Sequence, residues 1–197
     1  MNDTPRTYPR TVNCNGTTVE LRLMRPDDAD ALRAFVATLP EHDLLFLNRD
    51  ITHPKVIDAW GEAIAADRVK SLVAVENGVI VGCTAIVVHD LFWSRHVGEL
   101  RVLTSPRLRG VGLGRLLIQE CFIQALEMGL SKLCVQMTVD QQAAVASFEG
   151  LGFRAEGVFR NHVRDRSGVM HDLAILSHDV GEAQARMAAF GMMDHLS

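Results

Sequence analysis

The chain is poor in the residues that build metal centres and redox sites. Its four cysteines, Cys14, Cys83, Cys121 and Cys134, stand far apart without a Cys-x-x-Cys pair. That spacing removes zinc knuckles and thioredoxin-like chemistry and predicts reduced, mostly buried thiols. The eight histidines include no His-Glu-x-x-His stretch, and His171-Asp172 has no partner four residues on, so no metal is expected. Tyrosine is nearly absent: Tyr8 is alone among 197 residues. No Lys/Arg-rich run interrupts a mixed charge pattern with net charge −4, so nucleic acid is not an expected partner. No apolar run reaches membrane-spanning length, and the polar start with Pro5 lacks the apolar core of a signal peptide. A cytoplasmic protein with no membrane association follows as the expectation.

What remains is a length suited to one domain with a real core. Residues 1–18 read as an N-terminal arm, strand or loose, 19–180 as the domain, and 181–197 as a C-terminal helical tail. Val19–Met24 alternates like a half-exposed strand. Pro26-Asp27-Asp28 opens a helix with Ala31, Leu32, Phe35, Val36 and Leu39 on one face. Thr52 and Pro54 start another running to about Ala66. Ser71–Glu76, the Asn77-Gly78 turn and Val79–Val88 form a hairpin. His96–Thr104 is a strand, Gly112–Met128 a helix stopped by Gly129, Lys132–Thr138 a strand, and Gln141–Leu151 a short helix. Phe153–Arg164 and Val169–His178 pair through Asp165-Arg166-Ser167-Gly168, and Val180–Met193 adds a terminal helix. The order predicts an α+β fold, a mixed and mostly antiparallel sheet flanked by helices, with the strands on either side of the long helix parallel.

The densest signal is Arg109-Gly110-Val111-Gly112-Leu113-Gly114-Arg115, between a short apolar strand and an amphipathic helix. Glycines permit a tight turn and a close approach of backbone N–H groups to an anion, and the helix aims its positive end at the same place. Arg109 and Arg115 add charge-assisted contacts to phosphate oxygens. No Lys-Ser or Lys-Thr follows, against a Walker loop, and the last two glycines are spaced too closely for a dinucleotide fingerprint.

This stretch resembles the Arg/Gln-x-x-Gly-x-Gly/Ala motif of GNAT acetyltransferases. Gln141–Phe153, QQAAVASFEGLGF, is similar to that family's second signature, which ends in Leu-Gly-Phe. The resemblance covers roughly residues 19–179. It implies the GNAT acyl-CoA N-acyltransferase fold and acetyl-CoA as co-substrate, its pyrophosphate on Arg109, Gly110, Val111, Gly112, Gly114 and Arg115. It also implies that Val102 and Leu103 offer strand-edge backbone to the pantetheine arm between two splayed strands. The implied activity is direct acetyl transfer to an amine: a protein lysine, a protein N-terminus or a small molecule. The alternative is a non-catalytic acyl-CoA sensor or interaction domain.

Transfer to an amine needs a base, and Glu99 is the carboxylate on the strand the family uses. It lies opposite Leu100 and Val102 and beside Arg101, so it is either that base or a strand residue paired with Arg101. Where relatives carry a tyrosine acid this chain has Phe148, and Gln141 replaces an asparagine seven residues earlier. The thiolate then leaves unaided or takes its proton from water; Ser147 and Cys134 are the other proton donors within the pattern. Phe92-Trp93 and Phe46-Leu47 either line the acceptor mouth or pack the core, and His162 is solvated, core or acceptor-facing. Met187, Met192 and Met193 either cover a homodimer surface or pack locally. The lack of an acidic cluster argues against polyamine acceptors.

Overall fold

The fold is taken from a computed structural model, which describes residues 6–45, 47, 50–66, 68–89 and 92–181. Among them nine strands form one sheet: β1 (Arg10–Cys14), β2 (Thr17–Leu23), β3 (Val69–Lys70), β4 (Leu72–Glu76), β5 (Val79–Val88), β6 (Val97–Thr104), β7 (Lys132–Thr138), β8 (Arg154–Arg164) and β9 (Met170–Asp179). Their order is β1-β2-β4-β5-β6-β7-β9-β8, with β3 paired to β5. The helices are α1 (Ala29–Val36), α2 (Pro54–Ala65), α3 (Leu113–Glu127) and α4 (Gln142–Glu149).

Strand alternation distributes the core over two faces. On one, Cys83, Leu103 and Val73 pack beneath α1 and α2 through Leu32, Phe35, Val36 and Ile57. On the other, Leu100, Ile86, Leu133 and Val135 meet α3 and α4 through Ile118, Cys121, Ala125 and Phe148. The α1 face departs from expectation at Ala31, which is exposed, while Ala29 is half-buried and packs against that cluster. The N-cap of α2 is His53, whose Nδ1 accepts from the Lys55 N–H at 3.3 Å; Thr52 donates its hydroxyl to Asp50 instead.

Residues 10–14 of the expected arm are a full strand, and two arginines fasten the segment to α3. Glu120 is fully buried there, paired with Arg10 at 2.8 Å and Arg6 at 3.0 Å and accepting the Tyr8 hydroxyl at 2.6 Å. A carboxylate survives such burial only with partners of this kind. The tail helix and Met187, Met192 and Met193 lie outside the described residues, as does Phe46.

β6 and β7 are the parallel pair of the sheet. They share three residue pairs, Val97–Lys132, Gly98–Leu133 and Glu99–Cys134, and then part. Gly98 lets the closed end form, since a Cβ there would stand 2.8 Å from Leu130 Cδ1 and 2.9 Å from Ile86 Cγ2. Beyond Glu99, β6 keeps its partners on β5 while its other edge is left without a strand.

Candidate active site

The gap between the parted strands opens into a cleft of about 660 Å³. Val102, Leu103 and Thr104 form one wall, Gln141–Ala144, Ser147 and Phe148 the other, and the turn Arg109, Gly110, Gly112, Gly114, Arg115 its floor. Gly110 (φ 79°) and Gly112 (φ 90°) both adopt the left-handed region, and Gly112 is the N-cap of α3. No side chain caps that helix, so its first-turn N–H groups face the cleft for an anion to take. Arg109 is ion-paired to Asp43, whereas Arg115 has no carboxylate partner among the described residues. Of the expected cofactor residues, Val111 is absent from this lining; it packs beside Leu113 and Leu117.

Glu99 stands on the opposite, α1–α2 face at the last pair before the strands diverge. Arg101 Nε and Nη2 donate to its Oε1 at 3.0 and 2.9 Å, and His89 Nε2 lies 4.0 Å from Oε2. Its side chain is 14% exposed, which leaves a hydrogen-bonded carboxylate within reach of solvent.

The candidate proton donors fare differently. Phe148 is buried and stacks edge-on with Phe153 at 5.0 Å, serving core and cleft wall together. Ser147 donates to the Ala143 carbonyl at 2.7 Å. Burial raises the Cys134 thiol and pushes Cys83 and Cys121 up to about 12, so none of these is a thiolate at neutral pH. Tyr8 belongs to the Glu120 cluster. His162 is exposed and stacks on Phe159 at 5.0 Å, and Phe92 and Trp93 are exposed on the short turn before β6.

A cluster at the cleft mouth escaped the sequence. His42, from the segment after α1, sets Nε2 3.0 Å from Asp140 Oδ2; His171 on β9 sets Nδ1 3.5 Å from the same oxygen and Nε2 2.9 Å from Asp165 Oδ2. Gln141 holds the His42 carbonyl at 2.8 Å, and Arg166 reaches Glu41. The donor atoms of His42, Asp140 and His171 all lie within 4.8 Å, a spacing a cation could bridge. The ion pairs account for the group without one: the hydrogen bond to Asp165 raises the His171 pKa, and Asp140 adds to it. The result ties the α1–α2 segment to β9 across the mouth.

On the α1–α2 face a second cavity of about 920 Å³ lies between α2 and β5–β6. Leu47, Ile51, Trp60, Ala85 and Leu103 line it along with Arg68, Arg95 and Arg101. Leu103 is a wall of both cavities.

Residues 35–153 match the acetyltransferase (GNAT) family. The chain is 31% identical over 99 residues to an IAA acetyltransferase of Azospirillum brasilense, covering 50% of this chain and 63% of that one, so it spans less than two thirds of that relative. A GNAT-family acetyltransferase from Streptococcus pneumoniae superposes with TM-score 0.71 at 25% identity, over 82% of this chain and 98% of that one. A phosphinothricin acetyltransferase of Sinorhizobium meliloti, solved in complex with acetyl-CoA, superposes with TM-score 0.70 at 19% identity, over 83% and 89%.

Proposed function

The chain belongs to the GNAT acetyltransferase family, and from that premise we propose that it is an acetyl-CoA-dependent N-acetyltransferase working by direct transfer in a ternary complex. The carrying observation is the divergence of β6 and β7 into a cleft whose floor is the uncapped N-terminus of α3. In this reading the pyrophosphate sits on the Gly110–Arg115 turn, Arg115 meets its oxygens, and the β6 backbone at Val102 and Leu103 takes the place of a strand partner for the pantetheine arm.

The amine nitrogen attacks the thioester carbonyl, the N–C bond forms and the C–S bond breaks. The surplus nitrogen proton passes to Glu99, placed at the apex of the divergence. The departing thiolate takes its proton from water, because Phe148 has none, and a thiol with a pKa near 8.5 is a tolerable leaving group. Transfer through a cysteine is disfavoured by the raised pKa values of Cys83, Cys121 and Cys134. Four free cysteines fit a reducing compartment, and we assign the protein to the cytoplasm.

Glu99→Gln tests the reading. It should leave acetyl-CoA binding intact and lower kcat by roughly 10²–10⁴-fold at pH 7, the usual contribution of a general base. The deficit should shrink at high pH, where the amine loses its proton unaided. Near-normal turnover at pH 7 would reduce Glu99 to a partner of Arg101. The rival reading, a sensor that binds acyl-CoA without turnover, draws on Phe148; release of free coenzyme A by the parent chain with any simple amine eliminates it.

A further inference from the structure

We propose that the acceptor is a small amine bearing a carboxylate on an apolar body, as in an apolar α-amino acid, seated in the cavity between α2 and β5–β6. This rests on the transferase reading. The cavity volume of about 920 Å³ lies within the ~300–1,000 Å³ of small-ligand sites. It opens on the face that carries Glu99, opposite the α3 face, so an acceptor held there approaches the thioester from the side the coenzyme leaves free. Leu103 lines both spaces, and Arg101, which holds Glu99, lines this one; Glu99 itself lines neither.

The lining divides by chemistry. Ile51, Trp60, Ala85 and Leu103 supply apolar wall, while the charged residues are Arg68, Arg95 and Arg101 against Glu62, with His89 in addition. Arg101 is engaged by Glu99. Arg68 and Arg95 are exposed, and no carboxylate among the described residues pairs with either. Two guanidinium forks without a carboxylate partner among the described residues, in a lining that is otherwise largely apolar, repel a polycation and match a carboxylate, which a guanidinium binds in bidentate fashion. A lysine side chain of a protein brings a cation and no anion; a polyamine brings several cations. An apolar amino acid satisfies all three parts at once: body on the wall, carboxylate at Arg68 and Arg95, amine toward Glu99.

Steady-state acetylation is compared at one pH for phenylalanine against phenethylamine, and for leucine against 3-methylbutylamine and leucinamide, with a lysine peptide as a further acceptor. Calorimetry measures phenylalanine binding to the chain saturated with coenzyme A. The carboxylates should be favoured about tenfold or more in kcat/KM, on the scale of one charge-assisted hydrogen bond. The Arg68→Gln, Arg95→Gln double variant, at two exposed positions that do not endanger folding, should bring that ratio close to one. Equal or better use of the decarboxylated amines, the amide or the peptide overturns the proposal while transferase activity stands. Arginine-dependent binding of phenylalanine without turnover of any amine upholds the ligand class and removes the transferase reading. Absence of both binding and turnover for the acids overturns the proposal.

Discussion

At Gly112 the constraint is conformational before it is steric. A Cβ would find its nearest neighbour, Asn15 Nδ2, at 3.9 Å, yet φ is 90°. Gly112→Ala therefore costs about 1–2 kcal/mol for an L residue held in the left-handed region. If the turn cradles pyrophosphate, the same change weakens acetyl-CoA by about 1–3 kcal/mol through displaced charge-assisted hydrogen bonds. Titration calorimetry on the folded variant decides it, and unchanged affinity would count against the cradle. The turn at this residue was readable because glycine takes the left-handed conformation without the cost an L side chain carries. The face of Glu99 was readable too, since alternation fixes it, and its pairing with Arg101 followed from a separation of two. His42, Asp140 and His171 were invisible for the opposite reason. They come from a loop, a strand end and a distant strand, and meet only because β9 pairs with β7. Nothing in the spacing of 42, 140 and 171 carries that adjacency.

Among elements, the closed end of the β6–β7 divergence is the most exacting. Gly98 is hemmed in by side chains of Ile86, Leu130 and Leu133, all within 3.0 Å of a would-be Cβ. Gly98→Ala must push them apart, and overpacking of this kind costs about 1–3 kcal/mol. Denaturant unfolding should report a lowered midpoint with an unchanged slope; an unaltered midpoint would mean that the pairing there has slack. The element boundaries were largely legible, β7 to the residue, because turns such as Asn77-Gly78 and stops such as Gly129 are chemically marked. The interior of α3 was less so. Its apolar repeat at Leu113, Leu117, Cys121 and Ala125 is plain, but Glu120 and Gln124 are buried beside it. Only the arrival of Arg6 and Tyr8, which precede the first strand, and of Arg10 at its start explains the glutamate. Single-chain patterning carries no sign of which surface a distant arm will cover.

For the whole molecule, the ligand is expected to behave as part of the sheet. Acetyl-CoA at about one hundred times its Kd should stabilise the fold by about 2.7 kcal/mol. For a chain of this size that raises Tm by roughly 5–10 °C. A thermal scan with and without coenzyme measures it, and an invariant Tm would argue that the cleft binds nothing of this class. The divergence of β6 from β7 has a further consequence. Three residue pairs join the six strands on one side to the three on the other, so the seam proposed to admit the coenzyme is also a narrow join between the two parts of the sheet. If the coenzyme bridges that seam, an empty molecule opens there more readily than a filled one and is exposed to proteases more often. The amount of this protein in a cell would then follow the supply of its own co-substrate, rising when acyl-coenzyme A is plentiful and falling when it is scarce.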